Sequence, residues 1–316
     1  MDKIFKLGPS PHIRSGETVN NIMRDVIFAL IPSLIAAIYF FGVKALMVIT
    51  VSIIAAVITE GVCQKMMKME LEILDGSAVI TGILFAFVVT PTLPLWMAAI
   101  GSSVSILLGK MVFGGLGHNI FNPALIGRAF VMASWPAAMT TWMNTDGSAG
   151  ATVLGVLKME GYNSVVKMFD GKGDMYLQLF LGNRGGSLGE TSVIALLIGG
   201  AYLLYKGHIT LHTPVAYVAT VFITALAVGQ DPLFHILAGG LFLGAIFMAT
   251  DMVTTPYTSF GKIIFGVGAG LLVVWIRMKG GYPEGVCYSI LIMNSLTPLI
   301  NRYTRPKVFG EVKNNG

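Results

Sequence analysis

Residues 76–109 carry no charged side chain and are almost entirely apolar or small. A membrane-spanning helix needs ~20 mostly apolar residues, so this stretch is long enough for two helices, separated by the Thr-Pro-Thr-Leu-Pro sequence at 90–94. The whole chain of 316 residues is 54% hydrophobic and 12% charged, whereas ordinary soluble domains are about 25% charged. These features predict an integral membrane protein.

Charge-free apolar runs recur along most of the chain, and their number predicts the fold class. Ten runs read as spans, although several are short for that purpose. They lie at residues 25–44, 44–60, twice within 76–109, and at 110–136, 191–205, 208–229, 233–249, 263–276 and 286–301. We therefore expect an all-α polytopic membrane protein with about ten transmembrane helices.

The basic residues predict the orientation of these spans, because cytoplasmic loops carry an excess of Lys and Arg. Nine of them fall before span one, between spans two and three, or after span ten: Lys3, Lys6, Arg14, Arg24, Lys65, Lys68, Arg302, Arg305 and Lys307. Three fall on the opposite side: Lys44, Arg277 and Lys279. Both termini are expected in the cytoplasm. The net charge of +5 then reflects topology, and no nucleic-acid partner is expected.

An internal repeat predicts how the spans are organised. Residues 114–126 (Gly-Gly-Leu-Gly-His-Asn-Ile-Phe-Asn-Pro-Ala-Leu-Ile) align without gaps on residues 280–292 (Gly-Gly-Tyr-Pro-Glu-Gly-Val-Cys-Tyr-Ser-Ile-Leu-Ile). Upstream of each copy stands a Gly-x-x-Phe sequence, at 82–85 and 244–247, followed by Thr-Pro. Five spans separate the copies, so the halves would have opposite orientations, as in many transporters. Glycines that only allow close helix packing are the alternative.

The repeat divides the chain into three parts. Residues 1–138 are predicted to form the first five-span repeat, with a cytoplasmic N-terminus, and residues 190–316 the second, with a cytoplasmic C-terminus. Residues 139–189 are expected to form an extracytoplasmic loop with short amphipathic helices at 153–169 and 175–181. In this loop the Ser-Leu-Gly-Glu sequence at 187–190 has the spacing of a helix-start capping box.

Proline and glycine at matching places in the two halves predict broken half-helices near the membrane midplane. Asp251 lies in the second of these breaks, and charges inside a membrane are costly and therefore informative. We expect an ion pathway at Asp251, Thr254 and Thr255, with Asn122 at a half-helix start in the first repeat; a loop facing water would have the same sequence. Other charged residues near span ends are expected to cap helices or extend to the interface: Glu60, Asp75, Lys110, Arg128 and Glu284.

The Asp-Gly-Ser-Ala-Gly-Ala-Thr sequence at 146–152 is a small polar island in the extracytoplasmic loop. Its Thr152 follows Gly150 and Ala151, so the hydroxyl lies on a flexible and accessible backbone. Asp146 stands six positions upstream, where a carboxylate orients a metal ion or a nucleophile. As a bare pattern the same sequence forms a flexible turn.

Other chemistry is not supported by the residues. Cys63 and Cys287 form no C-x-x-C pair, so neither a zinc site nor an iron–sulfur cluster is expected, and we predict no metal site. His118 and His235 lack the partner pattern of a haem site. Glycines at 266–270 fail the dinucleotide-binding spacing, and no phosphate-binding loop of the ATPase type occurs.

Four motifs in combination carry a family resemblance: Ser-Pro-His at 10–12, Asn-Ile-Phe-Asn-Pro-Ala at 119–124, Gly-Glu-Thr-Ser at 189–192 and Asp-Met-Val-Thr-Thr-Pro at 251–256. The chain resembles the family that contains the D subunit of the Rnf complex and the B subunit of the sodium-pumping NADH:quinone reductase. The resemblance implies a multi-pass subunit, in a bacterial or archaeal cytoplasmic membrane, of an ion-translocating ferredoxin:NAD oxidoreductase. The subunit would not be active alone.

The resemblance also implies FMN joined by a phosphoester to Thr152, within a flavinylation motif formed by Asp146, Gly150, Ala151 and Thr152. It implies a flavin transferase during maturation, a second flavin-bearing subunit and iron–sulfur subunits as partners, and a noncovalent flavin such as riboflavin that no residue here locates. Electron flow between ferredoxin and NAD would drive Na⁺ or H⁺ translocation, with no catalytic residue in this chain. The rival interpretations are a passive channel or solute transporter, and a scaffold subunit without a cofactor.

Overall fold

The computed structural model describes residues 17–145 and 148–306. Asp146 of the predicted flavinylation motif lies outside the described residues, as do Lys3, Lys6, Arg14 and Lys307 and the Ser-Pro-His motif. The helices of the first part are α1 (Val19–Met66), α2 (Ser77–Phe87), α3 (Leu95–Gly109), α4 (Pro123–Ser134) and α5 (Pro136–Thr140). Two-residue strands β1 (Trp142–Met143) and β2 (Ala149–Gly150) pair antiparallel.

The remaining helices belong to the loop region and the second part of the chain. They are α6 (Val153–Glu160), α7 (Tyr162–Lys167), α8 (Lys172–Leu181), α9 (Val193–Tyr205), α10 (His212–Ala227), α11 (Pro232–Leu237), α12 (Leu241–Leu243), α13 (Ser259–Lys279) and α14 (Val286–Thr304). A π-helical turn, Gly244–Met248, continues α12. The predicted all-α class is confirmed.

Three helical stretches of the described ranges are long and apolar enough to cross a membrane: Val19–Met66, Leu95–Phe113 and Ser259–Lys279. Four shorter apolar helices accompany them: α2, α4, α9 and α10. The longest, α1, is kinked at Gly42, whose φ of 63° and ψ of −146° are not helical. Glycine adopts such a positive φ without a steric penalty. The sequence places the boundary between the first two spans at Lys44, and the structure places the kink at Gly42.

Two of the predicted spans are only partly regular helix. Within 110–136, a short 3-10 helix (Met111–Phe113) is followed by a loop in which Gly114, Gly115 and Gly117 have positive φ, and α4 begins only at Pro123. Within 233–249, the chain is divided into α11, α12 and the π-helical turn, with Gly239 at a φ of 72° between the first two. The apolar pattern alone does not reveal these breaks.

Both predicted breaker regions interrupt helices, and polar groups from elsewhere satisfy the freed backbone. Between α2 and α3, the carbonyl groups of Phe87 and Val89 accept hydrogen bonds from the backbone N–H groups of Gly189 (2.9 Å) and Leu188 (3.1 Å). Between the π-helical turn and α13, the carbonyl of Thr254 accepts bonds from α14. Irregular backbone within a membrane is tolerated only where such partners cover it.

The helices pack in two groups. In the first, α1 contacts α2 and α3, and α3 contacts α4; in the second, α10 contacts α13, and α13 contacts α14. The groups meet where α1 contacts α9 and where α4 contacts α14. The α4 and α14 helices begin within the two aligned copies of the internal repeat, at Pro123 and Val286. The α4 and α14 helices, which contact each other between the two groups, therefore have equivalent positions in the two halves of the sequence.

The loop region has its own small apolar core, formed by α6, α7 and α8 against α11 and centred on Val165, Met175, Leu179 and Phe234. The helices predicted at 153–169 and 175–181 are present, but the first is split at Gly161, whose φ is 87°. The predicted capping box at 187–190 is wrong. The next helix begins at Val193 with Ser192 as its N-cap, and the side chain of Glu190 is bound instead to Arg128.

Candidate functional site

Thr152 lies at the N-terminus of α6, and its side chain caps that helix. Its Oγ1 accepts a hydrogen bond of 3.1 Å from the backbone N–H of Gly155, as expected of an N-cap threonine. The side chain is only 4% exposed. Gly150 precedes it in β2, where a Cβ atom would lie 2.4 Å from Nδ2 of Asn144; Ala151 is exposed. The structure thus brings three of the four motif residues to the start of α6.

A buried charge cluster lies beside this threonine. Arg128 of α4 binds Glu190 (Nη1 to Oε1, 2.8 Å) and Glu284. Arg128 is 5% exposed and Glu190 is 4% exposed. The expectation that Arg128 and Glu284 cap helices or extend to the interface is wrong, because each is held by a partner far away in sequence. The cluster joins the first half, the loop region and the segment before α14.

Arg184 connects the cluster to Thr152. Its Nη2 donates to the backbone carbonyls of Glu190 (3.0 Å) and Gly239 (3.4 Å). Thr152, Arg184, Glu190 and Glu284 line one cavity of about 10 Å³, roughly the volume that a single water molecule requires. Apart from Thr152 itself, none of these residues is marked by a sequence motif as part of such a site.

The loop region is attached to the second half through Asp231, which precedes α11. The hydroxyl groups of Tyr162 and Tyr176 both donate to Oδ2 of Asp231, and the backbone N–H of Phe234 donates to Oδ1 at 3.1 Å. Burial raises the pKa of Asp231, but these hydrogen bonds to the carboxylate outweigh it and hold the pKa below its usual value. The carboxylate therefore remains charged and anchors α7 and α8.

A second polar site surrounds Asp251, in the break before α13. Oδ2 of Asp251 accepts from the hydroxyl of Thr254 (3.2 Å), and Oδ1 accepts from the backbone N–H of Val253 (3.3 Å). Asp251 and Asn122 both line a cavity of about 130 Å³. Thr255 is buried, and its hydroxyl donates to the carbonyl of Ala249 (3.0 Å). The structure brings the four predicted ion-pathway residues into one region.

Asn294 of α14 joins the two halves at this site, and sequence reasoning did not find it. Its Oδ1 accepts from the backbone N–H of Asn122 (3.1 Å), and its Nδ2 donates to the carbonyl of Thr254 (3.2 Å). Thr297 donates to the same carbonyl at 2.9 Å. Asn294 is fully buried, so a single amide fixes the start of α4 against the broken helix of the other half.

A buried ion pair lies next to the same cavity. Nζ of Lys110 contacts Oε1 of Glu60 and the hydroxyl of Ser77, each at 2.5 Å, and both Lys110 and Ser77 line the cavity. Lys110 is 2% exposed and Glu60 is 1% exposed. The prediction that these two residues cap helices or extend to the interface is therefore wrong, because their side chains pair with each other in the interior. Asp75, in contrast, caps the start of α2 through the backbone N–H of Ser77, as predicted.

Comparison with known proteins gives matches over nearly the whole chain. A family model described as the NQR2, RnfD, RnfE family matches residues 6–310. The D subunit of a proton-translocating ferredoxin:NAD(+) oxidoreductase complex from Clostridium ljungdahlii is 50% identical across 97% of this chain and 96% of its own length. The D subunit of a Na(+)-translocating ferredoxin:NAD(+) oxidoreductase complex from Acetobacterium woodii is 46% identical across 96% of this chain and 95% of its own length. The D subunit of an ion-translocating oxidoreductase complex from Stutzerimonas stutzeri is 39% identical across 93% of this chain and 92% of its own length.

Proposed function

This chain belongs to the NQR2, RnfD, RnfE family, as its motifs predict, and on that premise we propose that it carries FMN on Thr152. The complex would be an ion-translocating ferredoxin:NAD oxidoreductase, in which this subunit couples electron flow to ion movement across a bacterial or archaeal cytoplasmic membrane. Two of the relatives described above are named for different ions, protons in one and Na⁺ in the other. Both ions therefore remain candidates for this chain.

The observation that carries the proposal is the position of the Thr152 hydroxyl at the N-terminus of α6. The first backbone N–H groups of a helix have no intrahelical acceptor, and together with the helix dipole they favour a phosphate at that end. The negative charge of a phosphoester on Oγ1 is therefore favoured at this helix end. FMN attached there would accept and pass electrons, while the protein supplies orientation and electrostatics.

The burial of Thr152 has a consequence for maturation. With a side chain 4% exposed and a cavity of about 10 Å³ beside it, the hydroxyl is not accessible to a flavin transferase, and the cavity does not hold a flavin ring. The loop must therefore be open when the flavin is attached, and the ring must lie outside this cavity. The Gly150 and Ala151 residues that precede the threonine suit such a mobile substrate segment.

We assign ion movement to the second site, around Asp251 and the cavity that it shares with Asn122. The paired breaks, and the packing of α4 against α14, support an arrangement of ten spans in two inverted repeats. Moving one charge against ~100 mV costs about 2.3 kcal/mol, and a two-electron step releases about 1.4 kcal/mol per ~30 mV. A potential drop of roughly 50 mV per charge is therefore sufficient.

The complete reaction requires partners. Ferredoxin and NAD would be handled by iron–sulfur subunits and by a second flavin-bearing subunit, because the sequence of this chain contains no dinucleotide-binding fingerprint. A noncovalent riboflavin among the spans remains part of the proposal.

In-gel fluorescence tests this proposal. The protein is expressed with a flavin transferase, denatured, separated on a gel and viewed under ultraviolet light. We expect a fluorescent band from the wild type, none from Thr152→Ala, and an undiminished band from the control Thr145→Ala, seven positions upstream in the same loop. A wild-type protein without a fluorescent band would overturn the proposal, and so would a fluorescent band that persists in Thr152→Ala. The protein would then be interpreted as a channel, a solute transporter or a scaffold subunit.

A further inference from the structure

A large apolar groove lies between α9 and α10. Each of these consecutive helices packs mainly on another helix, α9 on α1 and α10 on α13, and both contact the π-helical turn. The groove between them has a volume of about 780 Å³. Small residues line both of its walls, Gly200 and Ala201 in α9 and Ala219 in α10, and Phe242 and Ile246 line it from α12 and the π-helical turn.

The groove is open at the side of the helix bundle and has the length of one lipid leaflet. Every residue that lines it is apolar, and Val215 and Ile223 in the α10 wall are 56% and 63% exposed. Along α10 the lining runs from Leu211 to Ile223, about 18 Å at a rise of ~1.5 Å per residue. One leaflet contributes ~15 Å, half of the hydrocarbon core of ~30 Å. This length suits an acyl chain of one leaflet, whereas a partner's transmembrane helix would have to cross both leaflets.

Positive charge stands at one end of the groove, beside the turn at 206–211 that joins its two walls. Nζ of Lys262 in α13 donates to the hydroxyl of Thr210 at 3.2 Å, and Thr210 stands between two residues that line the groove. Lys206 in the same turn has a side chain that is 42% exposed. Two ammonium groups therefore lie near the point where the groove ends.

Asp25 compensates only one of these two charges. Its Oδ1 is 3.5 Å from Nζ of Lys206, and its Oδ2 is 2.8 Å from Nε2 of His208. Lys262 has no carboxylate within 4.0 Å in the part of the chain that the structure describes. An ammonium group without a counterion attracts an anion, and a phosphate oxygen accepts charge-assisted hydrogen bonds from such a group.

The basic residues of the chain place the turn at 206–211 on the cytoplasmic side, where anionic lipids bind basic sites of membrane proteins. We propose that the groove binds an anionic phospholipid of the cytoplasmic leaflet, with its phosphate at Lys262 and one acyl chain between α9 and α10. The charge at the end of the groove selects the headgroup, and the apolar walls hold the chain. This site does not depend on the proposed flavin attachment.

Native mass spectrometry of the intact complex tests the headgroup. The complex is purified in detergent, stripped of lipid and incubated with phosphatidylglycerol or with phosphatidylcholine of the same acyl chains. We expect the wild type to prefer phosphatidylglycerol, and Lys262→Gln to weaken its binding about fivefold, the effect of one lysine at an anionic lipid surface. Lys279→Gln, at the other end of α13 and exposed, should bind as the wild type does.

A second pair of variants tests the groove. Ala219 is exposed and lines the groove, so Ala219→Phe places a ring in the space of the acyl chain, and we expect both lipids to be lost. Ala227→Phe makes the same change at an exposed position of α10 outside the lining and should retain phosphatidylglycerol.

Three results would overturn the lipid site. The first is equal binding of the two lipids by the wild type, and the second is undiminished phosphatidylglycerol in Lys262→Gln or Ala219→Phe. The third is an Ala219→Phe complex that loses a partner subunit instead of a lipid, which would make the groove a protein interface. If the Ala219→Phe chain does not accumulate, the comparison of Lys262→Gln with Lys279→Gln decides.

Discussion

Glu190 binds Arg128 of α4 through its side chain and Arg184 through its backbone carbonyl. We predict that Glu190→Gln lowers the stability of the folded protein, because it leaves Arg128 with Glu284 as its one remaining carboxylate. Removing one partner of a buried pair costs about 3–5 kcal/mol of stability. Because Glu284 still pairs with Arg128, we expect a loss near the lower end of that range. The apparent melting temperature in detergent measures it.

The control for this prediction is Glu160→Gln, because Glu160 is exposed at the end of α6. A surface substitution of this kind changes stability by less than about 0.5 kcal/mol. Equal melting temperatures for Glu190→Gln and Glu160→Gln would contradict the structural role of the cluster.

The two kinds of site residue differ in how far the sequence reveals them. Thr152 lies in a motif of seven consecutive residues, so the family resemblance marks it directly, and its role as the flavin attachment site stays a prediction. Arg128 is 62 residues from Glu190 and 156 residues from Glu284, and nothing in the sequence specifies those pairs. Their only sequence signal is that charges within apolar stretches are costly and must find partners. That signal marks such residues without identifying the partners.

At the scale of elements, Gly189 allows the loop region to dock on the end of α2. A Cβ atom at this position would lie 2.2 Å from Cγ of Phe87, and the backbone N–H of Gly189 donates to the carbonyl of Phe87. We predict that Gly189→Ala destabilises this docking by about 1–3 kcal/mol, as other overpacked sites do. Limited proteolysis of the segment at 182–192, together with the melting temperature, measures the effect.

Gly186→Ala is the matched control, because the nearest atom to its added Cβ would be Cγ2 of Thr191 at 3.6 Å, an ordinary contact distance. We expect it to resemble the wild type. Wild-type resistance to proteolysis in Gly189→Ala would show that the contact is not required.

The elements themselves could be predicted to different degrees. Hydropathy located the apolar helices, because a span must be apolar over most of its length. It did not locate the kink at Gly42 or the loop before Pro123, since backbone conformation there depends on the φ of individual glycines. The predicted start of a helix at 187–190 failed for a tertiary reason: Glu190 binds Arg128 instead of capping a helix.

At the scale of the whole molecule, two polar sites lie in different parts of the fold and share the α4 helix. Arg128 within α4 belongs to the cluster beside Thr152, while Asn122 at its start contacts Asn294 of α14. A change of charge near Thr152 would therefore act on a helix whose N-terminal end borders the cavity of Asp251. This is a physical route by which a redox change could affect ion movement, provided that α4 shifts as a unit.

The role of Asp251 can be tested in the assembled complex. Asp251→Asn keeps the size of the side chain and one oxygen that can still accept the hydrogen bond from Val253 or the one from Thr254, but removes the negative charge that would attract a cation. We expect the fluorescent band to remain and ion transport in sealed vesicles to fall to background. Asp170→Asn, at an exposed position in the loop region, should transport normally. If Asp251→Asn retained both ion transport and turnover, the ion route would have to run elsewhere, and the buried Lys110–Glu60 pair beside the same cavity would become the next place to test.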